Sequence, residues 1–183
     1  VTTLWLSPVF KQRAAADTYH GYAIQDFLDV DPRFGTRADL VDLVTRAHAR
    51  DGMRVILDVV FQHTGTNWVY DPSTPGGPCH PAYTPGRHRF GSWLDADGHP
   101  QPAVRNPDDG VWPAEMQDPD SYTRAGSGDL GRGDIGDDQA EHKRTDFVTL
   151  RDLALGPRQI DVLARCLKYW IALTDCDGFR LDT

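Results

Sequence analysis

The run MRVILDVVF at 53–61 constrains this chain more than any other stretch. It is apolar apart from Arg54 and Asp58 and rich in β-branched residues, as expected of a parallel strand covered on both faces. It starts directly after Gly52, and Gly52 closes a helical stripe of Leu40, Val41, Val44 and Ala47. Thr36 can cap that helix. Asp39, three residues on, completes a capping-box variant and suits the helix dipole. Gly52 can end it in the left-handed conformation. TLWLSPVF at 3–10 is apolar with turn chemistry at Ser7-Pro8, so a strand is predicted over 3–6, then a polar loop containing YHGY. Strand, helix and strand in about 60 residues make a βαβ unit.

From about 64 to 150 the pattern dissolves into Pro, Gly, Asp and aromatics, as in YDPSTPGGPCHPAYTPGRHRFGSW and GSGDLGRGDIGDD. This is far too long for a plain loop of a compact domain. A disordered linker is one reading. Trp68, Trp93 and Trp112 favour the other, an irregular inserted subdomain with a few short strands, because disordered segments are poor in aromatics. Order returns at Gly156-Pro157, with Pro157 as a first helical residue. Ile160, Leu163, Leu167, Trp170 and Ile171 form the next helical stripe, and DGFRLD at 177–182 reads as a further strand. The expected division is 1–63, an insert over 64–150, and 151–183 rejoining the first part. The sum is β-α-β, a long insertion, then α-β: part of an α/β sheet or barrel.

The net charge of −8 speaks against nucleic acid and anionic membrane surfaces as partners. No apolar run reaches the ~18 residues of a membrane span. Cys79, Cys166 and Cys176 are odd in number and share no metal-like spacing, so no disulfide framework is expected and a cytoplasmic setting is slightly favoured. The chain opens directly on a strand-like run, so its true N-terminus is expected upstream. No oligomeric state follows from these features.

Strand side chains alternate faces. In DGFRLD, Phe179 and Leu181 share the face expected against helices, and Gly178, Arg180 and Asp182 share the other. In VILDVV the same rule groups Ile56, Asp58 and Val60. Two neighbouring strands therefore aim carboxylates at one interior. A buried charge is costly unless paired, so Arg180 should meet Asp58 or Asp182. A purely structural ion network explains this as well as a reactive site does. Position favours the latter: Asp182 and His63 fall at the C-terminal ends of their strands, the reactive face of an α/β barrel. His20, Tyr22 and His63 follow strands onto that same face. Carboxylate, imidazole and phenol without a Cys/His cluster or a phosphate loop suit a polyhydroxyl ligand such as a sugar.

Four stretches now carry a family resemblance, in the family's own order: LWLSPVF, YHGYAIQDFLDVDPRFGT, RVILDVVFQHTG and DGFRLDT. The chain resembles the α-amylase family, family 13 of the glycoside hydrolases. The resemblance implies a partial (β/α)8 TIM barrel, strands two to four with their helices, and an irregular domain B after the third strand. It implies a retaining hydrolase or transglycosylase acting on α-linked oligosaccharides or α-glucosides. Asp182 matches the nucleophile, and Arg180 the arginine that orients it and keeps it ionised. His20, Tyr22 and His63 match residues lining the subsite of the cleaved sugar, and Asp58 matches an aspartate bracing them.

Three departures from the family bear on function. Gln62 stands where many members use an Asn to bind a structural calcium. Its carbonyl lies one methylene further out, and a displaced oxygen weakens or loses a calcium site. No cofactor is required and no metal is assigned, with the acidic insert residues Asp129, Asp134, Asp137 and Asp138 left as a separate calcium test. Ala23 stands where many amylases carry a tryptophan and glucosidase-like members an acidic residue. The family's general acid glutamate belongs to the next strand, and the only glutamates, Glu115 and Glu141, lie in the insert. The isolated chain is therefore expected to turn over no substrate, and its unpaired sheet edges to aggregate or recruit another chain. The alternative function is a non-catalytic amylase-like carbohydrate-binding or assembly module.

Overall fold

The computed structural model describes residues 1–182, and Thr183 lies outside them. The chain enters on β1 (Thr3–Leu6) and folds into an antiparallel pair, β2 (Phe10–Gln12) and β3 (Ile24–Val30). Then come α1 (Arg37–Asp51), β4 (Arg54–Val60) and the two-residue β5 (His63–Thr64). A small antiparallel sheet follows, β6 (Trp68–Tyr70), β7 (Phe90–Leu94) and β8 (Pro100–Gln101). After a long irregular stretch come β9 (Arg151–Asp152), α2 (Pro157–Thr174) and β10 (Gly178–Asp182).

The central sheet has the order β1-β4-β10, all parallel. Parallel neighbours need crossovers. α1 supplies the first, with Thr36 and Asp39 making the reciprocal capping box and Gly52 closing at φ 61°. Leu40, Val44 and Ala47 bury against the sheet as the stripe requires. α2 begins at Pro157 after an extended Gly156. Its buried face is Val162, Leu163, Cys166, Trp170 and Thr174, whereas Ile160 and Ile171 are half exposed. The expected stripe was therefore rotated by part of a turn, because Cys166 and Thr174, small and easily passed over, hold the true seam. Three adjacent parallel strands with helical crossovers fit part of a (β/α)8 barrel; among the described residues the sheet is open, not closed. Leu181, expected against a helix, is 59% exposed on the edge strand β10.

The loop reading after Ser7-Pro8 holds for residues 13–23 but misses β2 and β3. Asp26 and Asp29 disguise β3 as loop, since Asp is depleted in strands. Trp170 ties this hairpin to α2. It is fully buried, stacks on Phe10 at 5.0 Å between ring centroids, and donates its indole N–H to the Phe27 carbonyl at 2.7 Å.

Residues 64–150 are folded, which overturns the linker reading. Trp68, Tyr70, Phe90, Trp93 and Tyr122 pack ring against ring. The guanidinium of Arg151 lies 4.9 Å from the Trp68 ring centre and 4.8 Å from that of Tyr70. It also pairs with Asp146 at 2.7 Å, with both side chains wholly buried. The stretch leaves and rejoins the sheet region side by side, because β5 pairs with β9, His63 opposite Asp152 and Thr64 opposite Arg151.

Candidate active site

β4 and β10 run in register, Arg180 opposite Asp58 and Asp182 opposite Val60. Period-two alternation then puts Asp58, Arg180 and Asp182 on one face, as the sequence predicts. Nη1 of Arg180 donates to both oxygens of Asp58, at 3.1 and 3.2 Å, and also contacts Asp182. Asp58 is 2% exposed. It accepts further bonds from the indole of Trp5 at 3.0 Å and, at the long limit of 3.5 Å, from the Tyr22 hydroxyl. So Asp58 is the buried brace and Arg180 the link between it and Asp182.

Asp182 opens into a cavity of about 520 Å³ whose walls include His20, Tyr22, His63 and Phe147. His20 and Tyr22 stack at 5.8 Å, and the Tyr22 amide donates to Nδ1 of His20 at 3.0 Å. An accepting Nδ1 leaves Nε2–H of neutral His20 as a donor for a ligand. His63 is buried, and its Nε2 lies 3.2 Å from the Tyr22 carbonyl. A carbonyl only accepts, so Nε2 carries the proton. Burial pushes the His63 pKa down, against smaller upward effects from that carbonyl and from Asp182. Burial, with Asp58 and Asp182 nearby, pushes the Tyr22 pKa up, so the phenol keeps its proton. Asp182 and the three predicted pocket residues thus meet here, with Arg180 and Asp58 behind them. The arrangement offers one carboxylate held by a fixed cation, beside neutral donors suited to hydroxyl groups.

A protein-family model described as alpha amylase, catalytic domain, matches residues 1–183. The chain belongs to the α-amylase family of glycoside hydrolases. An α-amylase of Streptomyces lividans is 31% identical over 207 residues, covering all of this chain and 22% of that protein. The trehalose-6-phosphate hydrolase of Escherichia coli is 39% identical over 70 residues, 38% of this chain and 12% of that protein. The crystal structure of α-amylase from Geobacillus thermoleovorans, complexed with acarbose, superposes with a TM-score of 0.60 at 30% identity. That match covers 99% of this chain and 30% of that one. This α-amylase-family chain therefore spans under a third of these relatives' length.

Two contacts of the amylase-family site escaped sequence reasoning. Trp5 holds Asp58 and lies under Arg180, 5.4 Å from ring centre to guanidinium carbon. Its rung with Ile56, on the same face as Asp58, could have revealed it by alternation. Phe147 stacks on His63 at 6.0 Å and 7°. No local pattern in the sequence signals that contact across the long irregular stretch.

The residues present are a poor fit to a calcium ion. Gln62 gives its backbone carbonyl to Leu153 at 2.7 Å, and its side chain lies beside Asp152. Asp152 is buried with one carboxylate oxygen unpartnered. A single free carboxylate oxygen, with Arg144 nearby, is a poor match to the six to eight oxygens calcium takes. In the acidic insert, Asp129, Asp134 and Asp137 each cap their own turn, and Asp138 faces Lys143. Among the described residues, acidic and histidine ligand atoms converge only at Asp95, Asp97 and His99. There Asp95 is already engaged by two backbone amides and Gln101.

Proposed function

We propose that the protein containing this chain is a retaining enzyme acting on α-glucosidic bonds, as hydrolase or transglycosylase, with Asp182 as nucleophile. The carrying observation is the relay Asp58–Arg180–Asp182 opening into the cavity of His20, Tyr22 and His63. In this reading residues 1–63 and 151–183 belong to the barrel, and 64–150 is the family's domain B.

An Asp182 oxygen attacks the anomeric carbon as the glycosidic C–O bond breaks. A second carboxylic acid gives its proton to the departing oxygen, and water or an acceptor sugar then releases the glycosyl ester. Arg180 keeps the attacking oxygen aimed and balances its charge. Tyr22 stacks on the ring, while His20 and His63 hold its hydroxyls. The second carboxyl must lie about 5–5.5 Å from the first in a retaining enzyme. Glu115 is turned to Arg165, and Glu141 to the Asp129 amide and Arg132. Neither suits the role, so the acid belongs to a segment outside these residues, and residues 1–183 alone should be inactive.

The test is covalent trapping on the full-length protein with a fluorinated α-glucosyl fluoride, followed by peptide mass spectrometry. A glycosyl adduct on Asp182, lost together with turnover in Asp182→Asn, is expected. Full turnover in Asp182→Asn would overturn the assignment.

A further inference from the structure

Each strand of the central sheet contributes one member of the group behind Asp182: Trp5 from β1, Asp58 from β4 and Arg180 from β10. The indole N–H of Trp5 meets Asp58, and the face of the same ring meets Arg180. Resting on the reading of Asp182 above, we propose that Trp5 is a positioning residue for the attacking carboxylate. It acts through Asp58 and Arg180 and does not touch the sugar.

Asp58 lies on the middle strand and is gripped from both neighbours. Arg180 reaches it from β10 at 3.1 and 3.2 Å, and the indole reaches it from β1 at 3.0 Å. The indole bond is the shortest of these. It falls on Oδ2, the oxygen that takes the longer Arg180 bond and the 3.5 Å contact from Tyr22. One nitrogen of Arg180 serves both Asp58 and Asp182. An Asp58 carboxylate free to turn would draw that nitrogen with it. A second donor on the opposite flank stops the turn.

The ring face holds the other partner. The guanidinium carbon of Arg180 lies 5.4 Å from the ring centre, within reach of a cation–π contact. A flat surface beneath a long side chain that is 39% exposed limits where its head can go. The strand registers set the distance to the chemistry. Trp5 is level with Ile56, Arg180 with Asp58, and Asp182 with Val60. Trp5 is therefore two layers below Asp182, and it does not line the cavity there. Filling space alone would not aim a donor at a carboxylate, and a phenylalanine would fill the same place.

The experiment uses the full-length protein, with Trp5→Phe and Trp5→Met, and reads two quantities. One is kcat and KM for p-nitrophenyl α-glucoside. The other is the pH of half-modification of Asp182 by a water-soluble carbodiimide with glycine ethyl ester, followed by peptide mass spectrometry. Carbodiimide attacks the protonated acid, so this midpoint follows the proton affinity of Asp182 and needs no turnover. A guanidinium held less firmly balances Asp182 less, and the midpoint moves to higher pH. The other titratable and charged groups around Asp182 are Asp58 on β4, His63 on β5, and Asp17, His20 and Tyr22 in the loop after β2; all stay in place in these variants. Trp5→Phe keeps the ring and loses the donor. It should lower kcat about tenfold, the size of one hydrogen bond to a charged group, with KM little changed and the midpoint raised. Trp5→Met loses the ring as well, and both effects should grow. In an Arg180→Met background Trp5→Phe should leave the midpoint where it is, because its effect passes through the guanidinium. A midpoint unmoved in both single variants overturns the proposal, even where Tm falls, since a packing role predicts that result. A shift of equal size with and without Arg180 overturns it too. If wild type turned over no α-glucoside, the glycosidase reading would fail separately, and the midpoints would still decide whether Trp5 positions Asp182.

Discussion

Arg180 and Asp58 stand on facing rungs of β10 and β4, and one guanidinium nitrogen spans both Asp58 oxygens while touching Asp182. The same nitrogen thus serves a buried carboxylate and one that opens into the cavity. Without it, Asp58 keeps only Trp5 and the long Tyr22 contact.

Arg180→Met should therefore affect fold and chemistry together. Removing one partner of a buried pair strands the other's charge. Because the Arg180 side chain is 39% exposed, solvent screens part of the loss, and a modest destabilisation is expected. Denaturant melts measure it. Arg180→Met with Asp58→Asn should recover part of that stability while turnover stays lost, which separates the bracing role from the aiming role.

His63 and Asp152 are paired across β5 and β9, and burial moves their pKa values in opposite directions, down for His63 and up for Asp152. For His63, the unfolded chain binds the proton more readily. Its contribution is full above the ordinary value of 6.5 and is lost as pH falls from there toward the lowered folded value. His63→Asn should flatten the fall in Tm between about pH 7 and pH 5. A slope equal to that of wild type would refute this.

Asp152 works the other way. The folded state favours the protonated acid, so its contribution is full below the ordinary value of 3.8 and is lost as pH rises toward the raised folded value. Asp152→Asn should stabilise the fold near neutrality by roughly 1–3 kcal/mol, and raise Tm accordingly, as the desolvation cost of a buried unsatisfied group is relieved. If calcium occupied this place, the same variant would lower Tm instead, and added calcium would raise the Tm of wild type. The expected result is a wild-type Tm that does not respond to calcium.

Asp146 accepts from Arg151, from the Tyr70 hydroxyl and from the Asp152 amide. Asp146→Ala strands a fully buried guanidinium and should cost about 3–5 kcal/mol. Pairing it with Arg151→Met should cost distinctly less than the sum of the two single changes. A double-mutant cycle by chemical denaturation checks this, and additivity within error would contradict a coupled pair.

The central sheet and its crossovers were legible because their signals are local: a capping box, a left-handed glycine and period-two alternation. Asp58, Arg180 and Asp182 follow from alternation alone once their strands are adjacent. His20, Tyr22 and His63 were placed on the same face by following strands, and only the family resemblance gave them individual roles, because the residues after a strand carry no periodicity. β3 stayed hidden because its aspartates answer to neighbours rather than to strand propensity; Asp26, for one, turns back to the Leu28 amide. Trp5 was within reach of alternation along β1, whereas Phe147 becomes visible only when distant segments meet. The seam of α2 departs from the large apolar residues of its sequence because Cys166 and Thr174, both small, lie on the buried face.

The two rungs joining β5 to β9 act as a clasp at the neck of the long excursion from 64 to 150. A clasp makes the excursion a closed loop, so its interior can lengthen or be rebuilt at little entropic cost to the sheet. One jaw of that clasp is His63. Whatever tightens or loosens the excursion at its neck is therefore felt first by a wall of the cavity at Asp182, and variation in the least regular part of this chain has a direct mechanical route to the shape of that cavity.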